Sequence, residues 1–165
     1  MDNNGDIKLN CEWDLWWHPP HECNDDWTIK GYTHIYTFTT LGQYLLFFNN
    51  INCIGGINFG HYFLMRKGIT PIYEDDKNKF GGAWSMLTTV DDSYNTCMFL
   101  TDGLVGETLV ADMMTLTGLS INVKSEMSVI KIWNNNKMNN DVNLLPKDIP
   151  NLKSSIIYRN HKVNH

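Results

Sequence analysis

Over residues 12–18 apolar and polar positions alternate, with Trp13, Leu15 and Trp17 set against Asp14 and Trp16. That period of two predicts a half-buried strand, which Pro19-Pro20 brings to a stop because proline donates nothing to a ladder. Residues 32–38 are rich in β-branched and aromatic side chains and read as a second strand. Thr39 or Thr40 is then placed to cap a helix over 41–51. In that helix Tyr44, Phe47, Phe48 and Ile51 share one apolar face, while Leu41 and Leu45, four apart, form a second stripe. A helix apolar on two sides is either sandwiched in a core or offers a face to a partner.

Past a glycine turn at Gly55-Gly56, residues 62–65 read as a short strand, 68–80 as a functional loop and 83–90 as another strand. Asp91, Asp92 and Ser93 offer caps for a helix running to about Gly106 or Glu107, weakened by Gly103. Residues 118–123 and 127–133 make a hairpin about Lys124-Ser125-Glu126, and 155–158 a last short strand. Strands that meander with helices inserted between them predict an α+β fold: one curved antiparallel sheet carrying two to three helices on one face.

Composition narrows the functions open to such a domain. The 165 residues, 42% of them hydrophobic, suffice for one core, so a single domain over 1–165 is expected, with 1–10 and 160–165 flexible. A formal charge of -5 argues against gripping a nucleic-acid backbone along its length. No apolar run approaches the roughly 20 residues that span a bilayer, and the polar start Met1-Asp-Asn-Asn-Gly-Asp6 is unlike a signal peptide, so a soluble cytoplasmic protein is expected. Cys11, Cys23, Cys53 and Cys97 are scattered, as reduced thiols are. His18-Pro-Pro-His21-Glu-Cys23 contains metal-ligating residue types, but two prolines stiffen it and no partner cluster follows. It reads as a surface loop, and neither metal nor cofactor is expected. Asparagine-rich patches at 134–136 and 139–140 suit an A/T-rich genome, such as that of a large DNA virus or a protist.

The candidate chemistry lies in Pro71-Ile-Tyr73-Glu74-Asp-Asp-Lys-Asn-Lys-Phe-Gly-Gly-Ala-Trp84. A flat ring stacks on a flat ligand, and the adjacent ionised carboxylate accepts two N–H bonds from that ligand's edge, which suits a guanine. This segment, with Trp13-Asp-Leu-Trp16-Trp17, Trp27, Gly68-Ile-Thr-Pro, Val105-Gly-Glu107, Ile121-Asn-Val123 and Ile130-Lys-Ile-Trp133, resembles the eukaryotic translation initiation factor 4E family over nearly the whole chain.

The resemblance implies a cup-shaped sheet holding the 7-methylguanosine cap of messenger RNA between two aromatic rings, without catalysis. Trp27 and Tyr73 fall at the stacking positions, Glu74 at the guanine-reading position and Trp133 near the N7 methyl. N7 methylation makes guanine cationic, so each ring adds cation–π attraction of ~0.5 to 2 kcal/mol. Without the resemblance, Trp13, Trp16, Trp84 and Trp133 read as core aromatics, whereas Trp27 follows Asn24-Asp25-Asp26 in a polar loop.

Departures from the family pattern bear on the rest of the cap. The second stacking ring is tyrosine where the family usually has tryptophan. The basic residues that hold cap phosphates match Ala83, Lys124, Glu126 and Val129, so only Lys124 keeps its charge. Lys131, two residues past Val129, shares its strand face and is a candidate replacement; Arg159 and Lys162 either reach the phosphates or are solvated tail charges. On the convex face the family's partner-binding tryptophan matches Leu45, one turn after Leu41, and Asp102 replaces an apolar residue. A helical peptide of a scaffold or repressor is the expected partner there, on a monomer. The implied role is recruitment of capped transcripts, or competition for caps if Leu45 excludes the standard scaffold. A decapping hydrolase would need spaced carboxylates around a hard cation, and the run 74–76 does not supply such an array.

Overall fold

The computed structural model describes residues 5–54 and 56–162. Seven strands form one antiparallel sheet: β1 (Lys8–His18), β2 (Thr33–Thr40), β3 (His61–Arg66), β4 (Gly82–Thr89), β5 (Leu116–Val123), β6 (Met127–Asn134) and β7 (Ile157–Asn160), in the order β2-β1-β3-β5-β6-β4-β7. Two α-helices, α1 (Leu41–Asn49) and α2 (Val90–Val105), pack against one face. The expected α+β architecture is therefore the observed one, and residues 138–150 contribute only a short 3-10 turn at Val142–Leu144.

The capping residues explain where the helices start. Thr40 accepts from the Gln43 amide while the Gln43 side chain accepts from the Thr40 amide, a reciprocal cap that fixes the β2–α1 junction. Thr89 does the same work for α2 by accepting from Asp92 N, so Val90 belongs to the helix and Asp91 and Asp92 sit in its first turn. The expected caps at 91–93 lie one turn too late. Gly103 is tolerated because Leu109 packs where its side chain would be. Of the ends expected to be loose, residues 8–10 open β1 and His161 is packed between rings, while 1–4 and 163–165, like Gly55 of the predicted turn, lie outside the described residues.

Alternation along the strands divides the side chains between two cores. Trp13, Leu15, Leu64, Leu119, Ile130, Ile132, Trp84 and Met86 point toward the helices, where Tyr44, Phe48, Leu100 and Leu104 meet them. The intervening positions Phe63, Met65, Ala83 and Trp133 form a smaller cluster on the opposite face, joined by Ile69 and flanked by Trp16, Tyr32 and Tyr73. The second stripe of α1 divides: Leu41 packs against the main core, whereas Leu45 is 41% exposed and Leu46 is 69% exposed.

Candidate functional site

Strand register builds the floor of a cavity on the face opposite the helices. One row across the sheet runs His18, His61, Asn122, Val129; the next runs Trp16, Phe63, Ser120, Lys131, Ser85; a third runs Asp14, Met65, Gly118, Trp133, Ala83, Arg159. Each row places one side chain per strand on the same face. Residues from these rows and from the loops after β1 and β3 enclose a cavity of about 1060 Å³.

All six residues singled out for the ligand line it: Trp27, Tyr73, Glu74, Lys124, Lys131 and Trp133. Arg159 and Lys162 line it too, and Val129 shares the cavity with Lys131 as the strand alternation requires. Ala83 is instead buried with Phe63, Met65 and Trp133 on the same face and does not line the cavity, and Glu126 is exposed outside it. Leu41, Leu45 and Asp102, the residues expected at a partner surface, belong to α1 and α2 on the other face, with Asp102 accepting a 2.6 Å hydrogen bond from the buried Tyr44 hydroxyl.

The loop bearing Tyr73 and Glu74 is fixed from within. Asp75 accepts from Thr70 N and Oγ1 and from Lys77 N, and the buried Asn78 amide donates to the carbonyls of Thr70 and Ile72. Asp76 pairs with Lys79. These contacts leave Glu74 as the one acid of the run that lines the cavity, and its carboxylate makes no hydrogen bond or ion pair with any described residue. The loop closes on Gly81, where a Cβ would overlap the Asn134 carbonyl, so the glycine permits a backbone approach no other residue allows.

Each outer ring is backed by an imidazole. His18 stacks on Trp27 at 4.0 Å between centroids and 5° between planes; His161 stacks on Tyr73 at 4.7 Å and 18°. Neither histidine lines the cavity, so both cover the faces turned away from it. Trp133 forms the floor beside Tyr73, 5.1 Å away and tilted, with its Nε1 donating to Ser120 Oγ. Lys131 Nζ reaches the Tyr73 hydroxyl at 3.4 Å.

Acidic and basic side chains reach the cavity from different elements. Asp25 and Asp26 adjoin Trp27 and Glu74 adjoins Tyr73, whereas Lys124, Lys131, Arg159 and Lys162 come from the β5–β6 turn, β6 and the C-terminal segment. His61 lies on the floor, and burial, then the neighbouring His18, Lys124 and Lys131, press its pKa down to about 4. Burial also lowers that of His161, against the Asn78 carbonyl it contacts and in concert with Lys131. The Tyr32 hydroxyl is raised by burial and by Tyr73 and Glu74. Aromatic rings with carboxylates beside them, in one cavity with several basic groups, suit a planar cation that carries an anionic tail.

Sequence reasoning missed four contributors: His18, His61, His161 and Tyr32. His18 ends β1, as the strand predicted over 12–18 requires, but it is no part of a surface loop: it is 0% exposed because Trp27 and Tyr32 fold over it. Among the described residues no group of three or more His, Cys, Asp or Glu is placed to hold a metal ion.

The sequence matches the eukaryotic initiation factor 4E family across residues 8–164. The chain belongs to that family. It is 28% identical over 136 residues to eukaryotic translation initiation factor 4E-1 of Caenorhabditis elegans, covering 78% of this chain and 63% of that protein. It thus spans less than two thirds of that relative's length. The fold is shared with Ascaris suum eIF4E-3 in complex with an m2,2,7G cap, at a TM-score of 0.77 and 23% identity over 97% of this chain and 94% of that one. It is shared equally with C. elegans eIF4E-3 in complex with the 4E-binding protein Mextli and a cap analog, at 0.78 and 24% over 94% and 93%.

Proposed function

We propose that this initiation factor 4E family member binds the 7-methylguanosine cap of messenger RNA and recruits capped transcripts for translation, without catalysing a reaction. The observation that carries the reading is the convergence of Trp27, Tyr73 and the unengaged Glu74 carboxylate, from two separate loops, on one cavity that also takes in Lys124, Lys131, Arg159 and Lys162. In the mechanism, Trp27 and Tyr73 sandwich the cationic base and Glu74 accepts its N1 and N2 protons. Trp133 packs against the methyl group. Lys124 and Lys131, with Arg159 and Lys162, meet the phosphates. The relatives of this fold solved with caps support the reading.

A helical peptide docking across the exposed Leu45 and Leu46, with Leu41 and Asp102 nearby, is the proposed protein partner. The aliphatic Leu45 also favours a second role, competition for caps without the standard scaffold. A conventional scaffold peptide that binds with ordinary affinity removes that alternative.

Tryptophan fluorescence quenching by N7-methylated and unmethylated GTP tests the cap reading. Strong quenching by the methylated form and weak quenching by GTP is expected. Equal response to both overturns it.

A further inference from the structure

We propose that His18 is a positioning residue for Trp27, holding the indole with its cavity face open before a ligand arrives. The inference rests on Trp27 being a ligand-stacking ring.

Trp27 sits in an exposed loop and is 41% exposed itself, a setting in which an indole ordinarily samples several rotamers. Its side-chain hydrogen bond goes to Asp25, an exposed residue of the same loop. Against that, the wholly buried His18 lies parallel beneath it at 4.0 Å. The imidazole is itself held by the backbone: a ring N–H donates either from Nδ1 to the Pro19 carbonyl at 2.7 Å or from Nε2 to the carbonyl of Asp26, the residue preceding Trp27, at 3.0 Å, the tautomer deciding which. The stack and the carbonyl contact therefore tie one side chain to both the ring and the backbone of its loop.

The surroundings close the arrangement. Tyr32 stands edge-on to His18 and to Trp27, and His61, its neighbour across the β1–β3 pair, stands edge-on to both as well. A Cβ at Gly31 would overlap the Asp26 carbonyl and lie 3.1 Å from His18 Nε2, so the loop folds back onto the imidazole with no space between. A ring ordered in advance loses no rotamer freedom when the base enters, and that advantage appears directly in affinity.

The test combines a ligand titration with a ligand-free readout. His18→Ala is expected to weaken 7-methyl-GTP binding about fivefold to tenfold, the loss for one side chain that must be ordered on binding. His18→Phe, which keeps the ring but not the carbonyl contacts, is expected to recover more than half of that. In a Trp27→Leu background His18→Ala should add almost nothing, because its effect passes through the indole. Equal fold-losses in the two backgrounds overturn the proposal. Without ligand, 19F spectra of 5-fluorotryptophan-labelled protein, with Trp27 assigned by its loss in Trp27→Leu, should show the Trp27 signal moving toward its unfolded-chain position in His18→Ala. An unmoved signal in folded protein overturns the proposal even if caps bind. A wild-type protein that fails to prefer methylated GTP refutes the cap reading instead and leaves the 19F result to decide this one.

Discussion

Acid should loosen this protein well before its carboxylates titrate, and His61 is the reason. In the folded chain its pKa is pressed from 6.5 to about 4 by burial and by His18, Lys124 and Lys131. An unfolded chain binds that proton more readily, so the neutral ring's contribution is complete above pH 6.5. It is lost progressively as pH falls toward 4, and below that no further loss comes from this group. The full shift corresponds to ~3.4 kcal/mol at ~1.36 kcal/mol per pKa unit. The ring faces an open cavity and keeps some solvent, so an effect of ~1 to 2 kcal/mol is expected. Urea unfolding at pH 7.5, 5.5 and 4.5 measures it, with His61→Gln as the variant that cannot titrate. Wild type should lose ~1 to 2 kcal/mol more than the variant across that range. Parallel pH profiles would refute the account of His61 as a neutral ring held among positive neighbours.

Three further outcomes follow from particular contacts. Glu74→Gln should weaken 7-methyl-GTP binding by ~1 to 3 kcal/mol, since an amide offers one acceptor where the base presents two donors. Its unfolding midpoint should stay that of wild type, because the carboxylate supports nothing in the fold. Tyr73→Trp should tighten the same ligand by ~0.5 to 1 kcal/mol through a larger π-face, read by the same titration. Asp14→Asn should cost ~1 to 3 kcal/mol of stability in urea. Burial raises that carboxyl, but hydrogen bonds from Thr37, the Gly68 amide and His34 outweigh it and hold it below its ordinary value. Its contribution is present above pH 3.8 and fades as pH falls further.

Local patterns made the strands and both helices legible in the sequence, and the Tyr73-Glu74 loop carried its chemistry in adjacent residues. Pairing set what local pattern did not. β1 begins at Lys8 because Lys8 pairs with Thr40 on β2, and β7 begins at Ile157 because Ile157 pairs with Ser85. Neither partner is near in the chain. The histidines were illegible for the same reason. His18 read as the end of a strand running into a surface loop, not as a support for Trp27, because the ring that covers it lies nine residues on, across two prolines, and His161 read as tail because Tyr73, Trp133 and Asn78 meet it only in the fold. The Asp75 and Asn78 braces were hidden in what looked like a solvated charge run. Lys131 was found by period-two reasoning, which needs only the strand itself.

The rows of floor residues also set how the pocket is free to change over generations. In β3 and β6 the floor side chains alternate with core side chains, Phe63 beside Leu64 and Lys131 beside Ile130 and Ile132. Inserting or deleting one residue within β3 or β6 would swap the two sets, sending lysine into the helical core and isoleucine into the cavity. New ligand preferences can therefore arise in the strands only by substitution in place. Changes of length are confined to the connections around the rim, the β5–β6 turn that carries Lys124 among them, which makes that rim the part of the molecule where relatives should diverge in what they accept.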